Sequence, residues 1–207
     1  MKNTIKKDTI TRDYMNDNTI FADVYNQYMF HGEEVLVSDS LSSADTAFFT
    51  IPYGEAGTDV TVQRFRDILK LSIAKKDNAA VYLLLGIENQ SELHFAMPVR
   101  NMLYDALAYT SQVEMTAKAH KAEQKKYHVS SAEYLSGFYR DDRLIPVVTL
   151  VVYFGADIWN APKSLYEMLS CKDAKLLQFV ADYRLNLIAP AQMSDAEIGQ
   201  FKRAFVR

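Results

Sequence analysis

Two apolar runs constrain this chain more than anything else in it. Ala79-Ala80-Val81-Tyr82-Leu83-Leu84-Leu85 is nearly unbroken, and Leu144 to Phe154 is apolar but for Pro146 and Thr149. Both are short, bounded by polar turn residues and rich in branched or aromatic side chains, which fits strands rather than helices. The second run has the continuous character of a strand buried on both faces, so it predicts a central position in a sheet. A two-sided sheet needs helices to cover it, and the expectation is an α/β fold with a mixed sheet.

The first run ends in an unusual way. Gly86-Ile87-Glu88-Asn89-Gln90-Ser91 follows it directly. Side chains two apart on a strand share a face, so Glu88 and Gln90 point the same way, roughly 7 Å apart. A buried strand rarely carries such groups without a partner, because an unpaired polar group costs stability. Upstream, Phe65, Asp67, Leu69, Leu71 and Ile73 share one face of a strand expected over Val60 to Ile73, with Arg64, Arg66, Lys70 and Ser72 on the other. Lys75-Lys76-Asp77-Asn78 is the turn that makes the two strands a hairpin. Asp67 and Glu88 then converge. Neighbouring carboxylates repel unless they share a cation, and an oxygen-rich pair suits magnesium or manganese. The plain alternative stays open: Asp67 paired with Arg66 or Lys70, Glu88 capping the following helix, Asn89 and Gln90 as turn formers.

Helical spacing places the remaining elements. Asn16-Asp17-Asn18 offers N-cap residues for a helix carrying Ile20, Phe21, Val24, Tyr25 and Tyr28 and closed by His31-Gly32. Residues 1–15 are polar and expected to be a flexible N-terminus, leaving 16–207 as a single domain. Val35 to Gly57 reads as loop with one short strand or turn at most, Gly54 and Gly57 marking the turn. Ala96 to Tyr127 is expected to be one long helix with Pro98 in its first turn and a polar second half in solvent. Short helices are expected over Leu165 to Leu169 and Leu176 to Ala181, a strand over Tyr183 to Ile188, and a capped helix from Ser194.

Composition excludes a few classes. The net charge of −3 gives no global basic field for nucleic acid. The chain contains no apolar stretch long enough to span a bilayer, and no apolar segment follows the basic start, so a cytoplasmic location is expected. The lone Cys171 cannot form an internal disulfide and is expected to be an inert thiol. His94 lacks partners at ligand spacing. Lys118, Lys121, Lys125 and Lys126 are expected to form a solvated helix face, and Trp159 a core residue.

Several strings together resemble a known family. These are Arg64 to Lys70, Leu85 to Ser91, Met97-Pro98-Val99-Arg100 with Tyr104, Phe21-Ala22-Asp23, Ser136-Gly137-Phe138, Asp142 to Gly155 with Trp159, and Tyr183 to Ile188. From about Asn18 onward the chain resembles the recombination-promoting nucleases, also labelled transposase-like or YhgA-like, of the PD-(D/E)XK nuclease superfamily. The resemblance implies a restriction-endonuclease-like mixed sheet flanked by helices, and Mg2+- or Mn2+-dependent hydrolysis of DNA phosphodiesters in recombination, transposition or phage defence. It makes Asp67 the hairpin acid and Glu88 the acid of the (D/E)-x-K element. Gln90 stands at the Lys position, as it often does in the family, and Asp23 becomes a third acid for the metal. Arg100 is either a phosphate contact or a helix-to-sheet ion pair, with Tyr104 packed beneath it. A homodimer, or a complex with a related chain, is expected because cutting two strands takes two sites. The family commonly continues with helical sequence past the position of Arg207. A nuclease-fold protein that only binds DNA or regulates a longer relative, and an interaction domain without metal, remain the alternatives.

Overall fold

The computed structural model describes residues 2–44, 49–51, 60–62, 67–76, 79–122 and 130–205. The elements are α1 (Lys2–Asn16), α2 (Asn18–Phe30), β1 (Ser42–Ser43), β2 (Phe49–Ile51), β3 (Val60–Val62), β4 (Ile68–Lys76), β5 (Ala79–Gln90) and α3 (Met97–Ala122). Then come α4 (Ser131–Ser136), β6 (Val147–Tyr153), α5 (Leu165–Met168), α6 (Ala174–Leu177), β7 (Asn186–Ile188) and α7 (Asp195–Ile198). The main sheet has strand order β1-β4-β5-β6-β7. Strands β4 and β5 are antiparallel, whereas β6 and β7 run parallel to β5. This is a mixed sheet flanked by helices, compatible with a restriction-endonuclease-like fold.

Each face of the sheet has its own core. Ile68, Leu83, Leu85, Ile87, Leu150 and Val152 pack with Met15 of α1 and Phe21, Val24 and Tyr25 of α2. The opposite face packs Val151 and Tyr153 with Met97 of α3, Trp159 and Ala161. Strand β5, not β6, holds the middle of the sheet. Both strands lie inside the sheet, and β6 from Thr149 to Tyr153 and β5 from Leu85 to Glu88 are buried on both faces, whereas Val81 and Tyr82 at the start of β5 are exposed.

Local chemistry sets the helix limits. Asp17 caps α2 by accepting from the Thr19 and Ile20 amides, and His31 ends it in the left-handed region at φ 52°. The buried Tyr25 hydroxyl lies 2.7 Å from the Gly86 carbonyl and 2.9 Å from that of Val148, linking α2 to β5 and β6. Helix α3 runs antiparallel to β6 and is tied to it at intervals. Asp105 accepts from Thr149 Oγ1, Tyr109 accepts from the Val147 amide, and the Gln112 amide brackets Ile145. Positions 105, 109 and 112 share one helix face, so a single face supplies all three ties.

Several expectations need correction. The N-terminal segment expected to be flexible is helical from Lys2, and Met15 is fully buried because α1 packs on the sheet. The strand expected over Val60 to Ile73 is two elements. β3 pairs with β2 in a separate two-stranded sheet, and β4 begins only at Ile68. The β4 face that carries Lys70 and Ser72 is covered by α1 and α2, with Lys70 only 1% and Ser72 0% exposed. The second half of α3 is not simply solvated. Gly137, at φ 67°, comes so close to it that an added Cβ would sit 2.7 Å from the Ala117 Cβ. His120 stacks on Tyr139 and pairs with Asp142 at 2.9 Å. Helix α4 went unforeseen, although Ser130 and Glu133 are the signature of a capping box. The turns expected at Lys75 to Asn78 and at Gly54 and Gly57, like Lys125 and Lys126, fall wholly or partly outside the described residues. Among the described residues no helix is long and apolar enough to cross a membrane.

Two consequences can be measured. The Lys70 ammonium donates to the Asn16 carbonyl at 2.6 Å and to Asn18 Oδ1 at 2.5 Å, fastening the α1–α2 junction to the sheet. Lys70→Ala leaves two acceptors unmet and a void, so urea unfolding should show a loss of about 2–4 kcal/mol. A loss within about 0.5 kcal/mol would refute the fastening role. The Glu133 carboxyl is held down to about 2 by the Arg140 amide and then by Ser130. Its folded value lies below the ordinary glutamate value of 4.5, so its stabilisation is complete above that pH and fades as pH falls toward about 2. An NMR titration of Glu133 should find its midpoint near 2, and a midpoint near 4.5 contradicts the capping geometry.

Candidate functional site

Strand register builds the candidate site. Ile68 pairs with Ile87 and Leu69 with Gly86, so one further step places Asp67 opposite Glu88. Directly opposed positions have Cβ atoms roughly 5 Å apart. Asp67 was expected inside a strand but lies in the bend just before β4. There its Oδ2 accepts the Asn89 amide at 2.8 Å. A side-chain carboxylate thus replaces a backbone carbonyl where the ladder ends. That bond holds Asp67 beside the residue it must face.

Glu88 lies on the side of β5 that α3 covers, and it is 0% exposed. In the parallel register it neighbours Val151, a member of the α3-side core. Arg100, one turn into α3, brings Nη2 to 3.1 Å from Glu88 Oε2. Its Nε donates to the Tyr104 hydroxyl at 3.1 Å, and the guanidinium lies 5.5 Å from the Tyr104 ring centre. Burial pulls the Arg100 pKa down. Glu88 first, then Tyr104 and Asp67, more than offset this, and the net shift is upward. Both carboxylates therefore act on one guanidinium. The expectation that Tyr104 packs beneath Arg100 holds, and the helix-to-sheet ion pair is present.

Gln90 closes β5 on the same face as Glu88, half-buried and paired in register with Tyr153. Its backbone carbonyl accepts the Phe154 amide. The next residues turn sharply: the Tyr153 ring lies where a Cβ on Gly155 would be, 2.1 Å from its hydroxyl, so position 155 admits only glycine. Tyr153 in turn meets Trp159 edge-on at 5.2 Å, and Trp159 is a core residue as expected.

Asp23 has a different task from the one expected. Its Oδ1 accepts the Lys202 amide at 3.1 Å, and Oδ2 accepts those of Arg203 and Ala204 at 2.9 and 2.8 Å. Both oxygens are turned to the C-terminal segment. Among the described residues no group of three or more His, Cys, Asp and Glu side chains could hold a metal ion. Two carboxylates remain, Asp67 and Glu88. Such a pair fits magnesium or manganese when water and phosphate oxygens complete the shell.

Sequence reading missed two buried polar residues near this site. Lys70, on the opposite face of the hairpin from Glu88, cannot be the salt-bridge partner of Asp67. Asn101 follows Arg100, is 1% exposed, and its amide has no hydrogen-bond partner among the described residues. Its spacing of four from Met97 and from Asp105 is the signal that puts it on the covered face of α3. His94 lies before α3, half-buried, and Cys171 is a half-buried thiol accepting the Asp173 amide.

The sequence profile of a family described as "Putative transposase, YhgA-like" matches residues 61–206. No curated protein and no solved structure matches the chain. The contacts of Asp23 yield a test of its role. Asp23→Ala removes the acceptor of three amides and should cost about 2–3 kcal/mol in urea unfolding. Manganese affinity, measured by calorimetry, should not change. A large loss of metal binding without loss of stability would restore Asp23 to the metal shell.

Proposed function

The chain belongs to the YhgA-like transposase family, and on that premise we propose that it is a metal-dependent DNA endonuclease. The observation that carries this reading is the register of β4 and β5, which sets Asp67 opposite Glu88 beneath the Arg100 guanidinium. A transposase-like family implies DNA as partner. The carboxylate pair suits the hydrolysis of its phosphodiester bonds.

Asp67 and Glu88 would hold Mg2+ or Mn2+, and the ion supplies an acidified water and a Lewis acid for the phosphoryl oxygen. Asp67 is oriented by the Asn89 amide and Glu88 by the fold of β5, so neither carboxylate needs to reorganise. Gln90 lies on the same face as Glu88. Its carboxamide oxygen can accept from the attacking water and its NH2 can donate to a phosphate oxygen, but it is no base. The water oxygen bonds to phosphorus as the bond to the leaving oxygen breaks. The water's proton passes to solvent, and the leaving oxygen takes one from solvent. Among the described residues, Arg100 is a cation at Glu88 that could face phosphate, in place of a lysine at position 90. Action on both strands calls for two copies of the site, so a homodimer accompanies this reading.

The test is nicking of supercoiled plasmid in magnesium. The unsubstituted chain should convert plasmid to open circle, with Asp67→Ala and Glu88→Ala slower by roughly a hundredfold or more. Equal rates for all three proteins would sink the assignment. Metal binding and DNA binding without any cleavage would favour a nuclease-fold protein that regulates a longer relative.

A further inference from the structure

Arg100 carries an inference that rests on the nuclease reading and goes beyond it. Its guanidinium sits at ion-pair distance from a carboxylate that is fully buried. A cation bound between Asp67 and Glu88 draws on the same Glu88 carboxylate, whose Oε2 faces Arg100. Putting a divalent cation and a guanidinium against one buried carboxylate places like charges side by side in a poorly solvated space, which is unfavourable. One of the two must yield. Arg100 is equipped to do so, because it is anchored at a second point. Nε is held by the Tyr104 hydroxyl and the guanidinium lies over the Tyr104 ring, both on its own helix one turn on. Its side chain is 26% exposed whereas that of Glu88 is 0%, so the guanidinium has an open side and the carboxylate does not.

We propose that Arg100 is a resident counter-ion of the carboxylate pair, exchanged for the divalent metal and turned outward on Tyr104 to meet the DNA phosphate. In the metal-free protein Arg100 holds the charge of Glu88. When a divalent cation takes Glu88, Arg100 is released at the mouth of the site, still anchored by Tyr104, where a phosphate can take it bidentately. The guanidinium and the metal are then negatively coupled on the protein alone. A phosphate that binds Arg100 relieves this coupling, so metal and DNA should reinforce each other.

Manganese binding, followed by calorimetry without DNA, tests the exchange. Arg100→Met removes the competitor, so its dissociation constant should fall roughly tenfold below that of the unsubstituted chain. Its melting temperature should drop in metal-free buffer and recover in saturating manganese, since the metal replaces the lost charge. Arg100→Lys keeps a cation but loses the Tyr104 anchor and the fork. It should bind manganese several-fold more tightly than the unsubstituted chain, and it serves if Arg100→Met proves too unstable to purify. Adding a short DNA duplex should tighten manganese binding to the unsubstituted chain by a larger factor than to Arg100→Met, in which only direct phosphate ligation to the metal remains. Equal or weaker manganese binding by both variants overturns the exchange while leaving the metal site itself standing. If neither the unsubstituted chain nor a variant binds manganese, the nuclease reading fails and takes the exchange with it.

Discussion

The antiparallel register of β4 against β5 is the constraint on which the rest of the molecule depends. A slip of one residue would turn every side chain of one strand to the other face. Here that slip is heavily penalised from both sides. Lys70 is buried on the face covered by α1 and α2, and Glu88 on the face covered by α3. Among the described residues each charge meets its partner in its own layer: the Asn16 carbonyl and Asn18 Oδ1 for Lys70, the Arg100 guanidinium for Glu88. Exchanging faces would bury each charge without its partner, at a cost of several kcal/mol apiece. Apolar residues on both faces of β5 could not fix the register so firmly, because they are nearly interchangeable.

The same two charges join the layers. Lys70 reaches the junction between α1 and α2, so one ammonium fixes where both helices meet the sheet. Its nitrogen also lies 4.9 Å from the Phe21 ring centre, which adds a cation–π contact. Burial lowers its pKa, and Asp17, the cap of α2, offsets this only in part. On the other face, Arg100, Asp105, Tyr109 and Gln112 tie α3 to the sheet along its length. The position of Arg100 over Glu88 is therefore set by an entire helix and not by one ion pair. A carboxylate pair held by strand register and a guanidinium held by helix docking meet at the point where β5 ends.

Much of this was legible in the sequence where period and chemistry agreed. The two apolar runs gave buried strands, and Asp17, His31 and Gly32 gave the limits of α2. The Gly86 to Gln90 string gave the polar tip of β5. Three failures have physical causes. Lys70 and Ser72 alternate like an open strand face, and only the tertiary covering by α1 and α2 makes them buried. Helix α1 has no strong apolar stripe, so its order comes from docking through residues such as Met15. Asp23 has the composition of a ligand and the position of one along the chain. Its carboxylate was claimed by amides nearly 180 residues away, a contact no local pattern encodes. Part of the resemblance, at Arg64 to Arg66, falls on residues outside those described.

Where a nuclease site keeps its positive charge decides how the site can be controlled. A lysine two residues after the acidic strand residue is rooted in the sheet, on the same face as the carboxylates. Gln90 gives that position a neutral carboxamide instead. Among the described residues, a cation reaches this site from α3, on a longer side chain with its own anchor on Tyr104. A charge rooted in a helix can move relative to the carboxylates without disturbing the strands that hold them. On the proposed exchange it neutralises Glu88 in the metal-free protein and faces outward once the metal is held. On the proposed exchange, the helix-borne guanidinium gives the site two electrostatic states on one rigid sheet.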